Sequence, residues 1–123
     1  MTENPRHKEN LIMQLTFGFS LEIIKYTEGL QQLKKFNLSN QLFQSATSIG
    51  ANIREAQNAE SKADFIHKMK IALKEVEETE YWLQLCKYSE SYPNTEELIN
   101  QLTAIYRVLN KIVGSARSNR SLQ

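Results

Sequence analysis

The chain has 123 residues, enough for one domain that buries a core without disulfides or a structural metal. Only four glycines and two prolines interrupt it, a composition of long helices and few turns. A formal charge of +1 lacks the overall basicity that by itself marks a nucleic-acid binder, so such a role would have to come from where the charges sit.

The first segment, about 9–35, places Ile12, Leu15, Phe19, Ile23, Tyr26, Leu30 and Leu33 at steps of three and four, one apolar face of a helix. Phe36, Asn37 and Leu38 read as a connector, with Ser39 as the N-cap of a second helix over 40–57. Its stripe is Leu42, Ala46, Ile49, Ile53 and Ala56. Ser61 opens the third helix, 62–88, with Asp64 completing a capping-box-like pattern. Phe65, Met69, Ala72, Val76, Leu83 and Cys86 follow at heptad spacing, with Thr79 as the polar member. After Pro93, Asn94 and Glu97 start a fourth helix over 95–117 with the stripe Leu98, Leu102, Ile105, Leu109, Ile112 and Ala116. Short connectors and a common period predict an all-α, antiparallel up-down-up-down four-helix bundle occupying 1–123, with flexible tails at 1–8 and 118–123.

Ten apolar residues fall off these stripes: Phe17, Ile24, Phe43, Ile66 and Leu73 in the first three helices, then Trp82, Leu85, Ile99, Tyr106 and Val113. A wide core face accounts for part of them and a subunit interface for the rest. Tyr81 and Trp82 are neighbours about 100° apart on one helix, so they cannot both face the same core, and one of them is a candidate oligomer contact.

No stretch approaches the roughly 20 apolar residues of a membrane span, and the polar N-terminus does not read as a signal peptide. With one cysteine, Cys86, on an apolar stripe, the chain reads as a cytoplasmic protein with no membrane partner. A di-iron carboxylate site needs an inward Glu-x-x-His on two helices. The nearest approach here is Asp64 with His67, so no metal or other cofactor is expected. Cys86 has no histidine in helical register and no strand precedes a glycine-rich phosphate loop, so no enzyme is expected either. The carboxylates Glu75, Glu77, Glu78 and Glu80 read as a solvated face beside Lys74.

An antiparallel bundle gathers the start of helix one, the end of helix two, the start of helix three and the end of helix four. The cations there are Arg6, Lys8, Arg54, Lys62, Lys68, Lys70, Lys111, Arg117 and Arg120, against Glu3, Glu9, Glu55, Glu60 and Asp64, a net +4. Lys111, Arg117 and Arg120 suit the negative end of helix four. Lys62, Lys68 and Lys70 lie in the first turns of helix three, where the helix dipole disfavours cations. A local rule broken without structural gain points toward function, and phosphate binding is the natural candidate.

The run from Gln41-Leu42 to Ser48-Ile49-x-x-Asn52-Ile53-x-Glu55-Ala56, then Ser61-Lys62-x-x-Phe65 and Ile71-Ala72-Leu73-Lys74-Glu75-x-x-Glu78-Thr79-x-Tyr81-Trp82-Leu83, resembles the bacterial 23S rRNA intervening sequence proteins. These four-helix-bundle proteins are also known as a ribosomal protein family. The resemblance implies a ring-shaped homopentamer associated with rRNA or other nucleic acid, and it carries no catalytic residues. The near-neutral charge and the apolar residues left over after the core is filled suit an alternative, a scaffold for a protein partner with no nucleic-acid role. Ser48, Asn52, Glu55 and Glu78 are the polar part of this motif. They are expected either to form a hydrogen-bonded layer that fixes the register of helices two and three or to line a subunit contact.

Overall fold

The computed structural model describes residues 10–121, with side chains described for 10–118. Four helices follow one another: α1 (Leu11–Gln32), α2 (Phe36–Ala56), α3 (Lys62–Tyr88) and α4 (Glu96–Ser121), with no strand among the described residues. Each helix packs on its neighbours in sequence, and α1 closes the square against α4. Cross-helix bonds give the direction. Asn10 at the start of α1 donates from Nδ2 to Gln57 Oε1 (3.0 Å) just past α2, and Ser39 near the start of α2 reaches Thr27 near the end of α1. The α2–α3 pairs, Ser45 with Thr79 and Glu55 with Lys68, likewise run in opposite senses, as an up-down-up-down bundle requires.

Helix α1 starts where the Asn10 carboxamide oxygen accepts the Met13 amide (3.2 Å), leaving the expected start at Glu9 outside the described residues. It ends at Gln32, short of the expected 35. The Lys35 amide donates to Leu30 O (2.8 Å) and the Lys34 amide to Gln31 O (2.9 Å), with Lys34 left-handed at φ 63°. This is a Schellman closure, and it turns the chain within three residues. Leu33, expected on the apolar face, sits in that turn and is exposed.

The tight turn also moves the start of α2 forward, from the expected 40 to Phe36. Ser39 is therefore not its N-cap. Its fully buried hydroxyl donates instead to the Thr27 carbonyl (2.9 Å), stitching α2 to α1. The other stripe residues of α2 are buried as expected, and so is Cys86 in α3.

Ser61 caps α3 by accepting the Asp64 amide (3.0 Å), and Asp64 Oδ2 accepts the Glu60 amide (3.3 Å). Helix α4 begins one residue later than expected. Asn94 Oδ1 accepts the Glu96 amide (2.8 Å), which leaves Thr95 in the cap position, 2% exposed, its Oγ1 without a partner among the described residues. The helix then continues to Ser121, through residues 118–121 that were expected to be tail.

Off-stripe residues divide by geometry. Ile66 and Val113 are buried, and Leu73, Trp82 and Ile99 pack partly buried against the core. Phe17, Ile24, Phe43, Leu85 and Tyr106 are exposed. In α1 the core also takes Thr16 and Thr27, whose hydroxyls are satisfied by the carbonyls of Ile12 and Ile23 (2.8 Å each), so each threonine presents little more than its methyl.

Candidate nucleic-acid interface

Among the described residues the basic side chains of this group lie on three helices, Arg54 on α2, Lys62, Lys68 and Lys70 on α3 and Lys111 and Arg117 on α4, and the antiparallel topology brings the end of α2, the start of α3 and the end of α4 to one end of the bundle. There the start of α1, the first turn of α3 and the C-terminal part of α4 line an open groove of about 800 Å³. Its lining is apolar, with Leu11, Phe65, Val108 and Ile112, and two lysines, Lys62 and Lys111, reach it from the start of α3 and the end of α4. Both lysines are exposed. Phe65 and Ile112, expected in the core, are only partly buried because this groove opens beside them.

The remaining cations are less concentrated. Arg54 and Lys70 are exposed on α2 and α3, and Arg117 is exposed near the end of α4. Lys68 is already engaged by Glu55 across the α2–α3 seam (Nζ–Oε1 3.3 Å), which removes one cation and one anion from the balance. The side chains of Arg6, Lys8 and Arg120 lie outside the described residues.

The polar motif does not assemble into one layer. Ser48 donates to Gln44 O (2.6 Å) and Asn52 to Ser48 O (2.8 Å), both within α2, and Glu78 is exposed. Among the described residues Glu55 alone of the four has a cross-helix bond, to Lys68. Buried register contacts fall elsewhere: Thr79 Oγ1 donates to Ser45 Oγ (2.9 Å) between α2 and α3, and Ser39 reaches Thr27 O between α1 and α2. Ser45 escapes sequence reasoning because a serine beside an apolar stripe looks like a surface hydroxyl. The signal that could have found it was Thr79, a polar residue at a heptad core position and so in need of a partner.

Trp82 is half-buried while Tyr81 is 58% exposed, their rings edge-to-face at 5.2 Å. The Trp82 indole N–H is buried without an acceptor among the described residues. Glu75 has its carboxyl raised, first by burial and then by the charge of Glu78. Burial likewise raises the Cys86 thiol, a rise that the neighbouring Tyr26 partly offsets, so the thiol is a weak nucleophile at neutral pH. Among the described residues no group of three or more His, Cys, Asp or Glu side chains could hold a metal, and no helix is long and apolar enough to cross a membrane.

The model of the 23S rRNA-intervening sequence proteins matches residues 8–111, nearly the whole bundle. The chain belongs to that family. It is also similar to the crystal structure of a protein of unknown function from the S23 ribosomal protein family of Bacteroides thetaiotaomicron VPI-5482. The two share 42% identity at a TM-score of 0.79, over 83% of this chain and 97% of the other. No curated protein matches the chain.

Proposed function

We propose that this 23S rRNA-intervening sequence protein is a non-enzymatic, homo-oligomeric accessory protein of the cytoplasm that binds rRNA or another nucleic acid through the basic end of its bundle. The observation that carries the reading is the convergence of Lys62 and Lys111 on one groove. Lys62 stands in the first turn of α3, where the helix dipole opposes it, and it makes no ion pair within 4 Å among the described residues. Two ammonium groups with no ion pair among the described residues, beside an apolar floor, form a place where a phosphate backbone gains contacts that water and salt ions otherwise supply. Assembly into a ring would repeat this patch on one face and add its contacts.

Binding of structured rRNA fragments measured across a salt series tests the reading. The affinity should fall linearly on a log–log plot, and replacing both Lys62 and Lys111 by Gln should lower the affinity and reduce the slope by about two phosphate equivalents. A flat salt dependence, or an unchanged slope in the double variant, rules out this end as the binding site.

The second reading, a protein-interaction scaffold without a nucleic-acid role, is favoured by one observation. Phe17, Ile24 and Phe43 are exposed although they sit in the middle of long helices. A partner that co-purifies regardless of nuclease treatment, together with no RNA binding, would select it.

A further inference from the structure

Three other grooves on the bundle each carry a carboxylate. Glu96 lines the one beside the α3–α4 connection, Glu77 and Glu80 the one between α3 and α4, and Glu22 the one between α1 and α4. The groove at the basic end has no carboxylate in its lining among the described residues, and it has two exposed lysines, Lys62 and Lys111. An anion is the ligand that this charge pattern admits and the other grooves repel.

Lysines alone can hold phosphates, so the apolar floor beside them calls for a separate partner. Phe65 is the one aromatic side chain in that lining, and Leu11, also in it, is 56% exposed. A double helix offers such a floor little, because its rim is ribose and phosphate and its bases are stacked inside. The bases of an unpaired strand can splay out instead, and each has an apolar face that stacks on an aromatic side chain whatever the sequence. An acyl chain with an acidic head would match the lysines too, but it is held by enclosure, and this groove is open to solvent.

We infer that the groove takes an unpaired RNA strand, with one splayed base against Phe65 and Leu11 and its flanking phosphates on Lys62 and Lys111. Ser115 is the one hydroxyl in the lining, and a ribose 2′-OH can donate to it or accept from it, which a deoxyribose cannot. The two kinds of contact then separate: the lysines set the salt dependence, and the apolar floor sets the affinity at constant salt. The site is the one used in the proposed function, so the assignment rests on that reading and narrows its ligand to single-stranded RNA.

Fluorescence anisotropy of the full chain with labelled probes of equal length tests it. The probes are a single RNA strand, the same strand paired with its complement, the same sequence as single-stranded DNA, and an abasic RNA strand that keeps the phosphates. The single RNA strand should bind about tenfold tighter than the duplex or the abasic strand, and tighter than the DNA. Phe65→Leu should weaken its binding by about tenfold with the salt slope unchanged, whereas Lys62→Gln should lower the slope. If Phe65→Leu loses native helix content by circular dichroism, Leu11→Ser at an exposed position serves in its place. A duplex bound as tightly as the single strand, with a slope that still falls in Lys62→Gln, overturns this assignment and leaves the basic-end reading standing. Equal affinity for the abasic strand does the same. Equal affinity for DNA overturns the choice of RNA, and laurate bound where no strand binds gives the groove to an anionic amphiphile. No salt-dependent binding of any probe overturns the assignment and the basic-end reading together.

Discussion

The hydroxyl of Thr79 donates to the hydroxyl of Ser45 across the α2–α3 seam at 2.9 Å, and both residues are buried in an otherwise apolar interface. Removing one partner leaves the other buried with a weakened set of bonds, since Ser45 itself reaches only Leu42 O at 3.4 Å. Ser45→Ala should cost about 1–2 kcal/mol, and Ser45→Ala with Thr79→Val should cost less than the sum of the two single changes. Urea denaturation of the four proteins measures the coupling. Strict additivity would show that the two hydroxyls do not depend on each other.

Lys34 holds the left-handed position of the Schellman turn between α1 and α2, at φ 63°, where a side chain is strained and glycine is not. Lys34→Gly should stabilise the protein by about 0.5–1 kcal/mol, the relief of strain exceeding the extra entropy of the unfolded chain. A rise in melting temperature is the expected result, and a fall would mean that the Lys34 side chain makes a contact worth more than the strain.

The carboxyl of Glu75 is raised above its ordinary value of 4.5, by partial burial and then by Glu78. A carboxyl raised on folding favours the native state while it is protonated in both states, and that contribution is lost as pH rises from 4.5 through the folded value. Glu75→Gln should therefore raise the melting temperature at pH 7 relative to wild type. The advantage should shrink as pH approaches 4, and thermal melts between pH 4 and 7 measure it. A constant difference across that range would assign the effect to packing, not to ionisation.

Cys86 is 1% exposed and its thiol is raised by burial. Labelling by a thiol reagent should follow the unfolding of α3, so the labelled fraction should rise with urea along the same curve as the loss of helix signal. Fast labelling of the native protein would mean that α3 opens locally near its C-terminal end.

Lys68 and Lys62 lie within two turns of each other but should behave differently. Lys68 is held by Glu55, so Lys68→Gln should change stability by no more than about 0.5 kcal/mol and leave phosphate binding nearly as it was. Lys62→Gln should weaken RNA binding by itself. Parallel salt titrations compare the two.

Much of the bundle was legible because helical periodicity is a local signal. A run such as Leu42, Ala46, Ile49, Ile53 and Ala56 buries the same face whatever its partners are, and all five are buried. Caps that use a neighbouring side chain were legible for the same reason, as at Ser61. Ser39 was misread because the rule for an N-cap is local, while the turn that displaced it depends on how Leu30, Lys34 and Lys35 close α1.

By itself the sequence determined the helix count and the identity of most core residues, since each follows from residue type and spacing along a chain. Tertiary structure decided which off-stripe residues are core and which are surface: Val113 and Ile66 turned inward, while Phe17, Ile24 and Phe43 were left outside on one seam. It also decided which lysines share a groove and which is held in an ion pair, as Lys62 and Lys111 against Lys68 show. The physical reason is that burial and charge pairing depend on distances between residues far apart in sequence, and the rotation and relative length of packed helices set those distances.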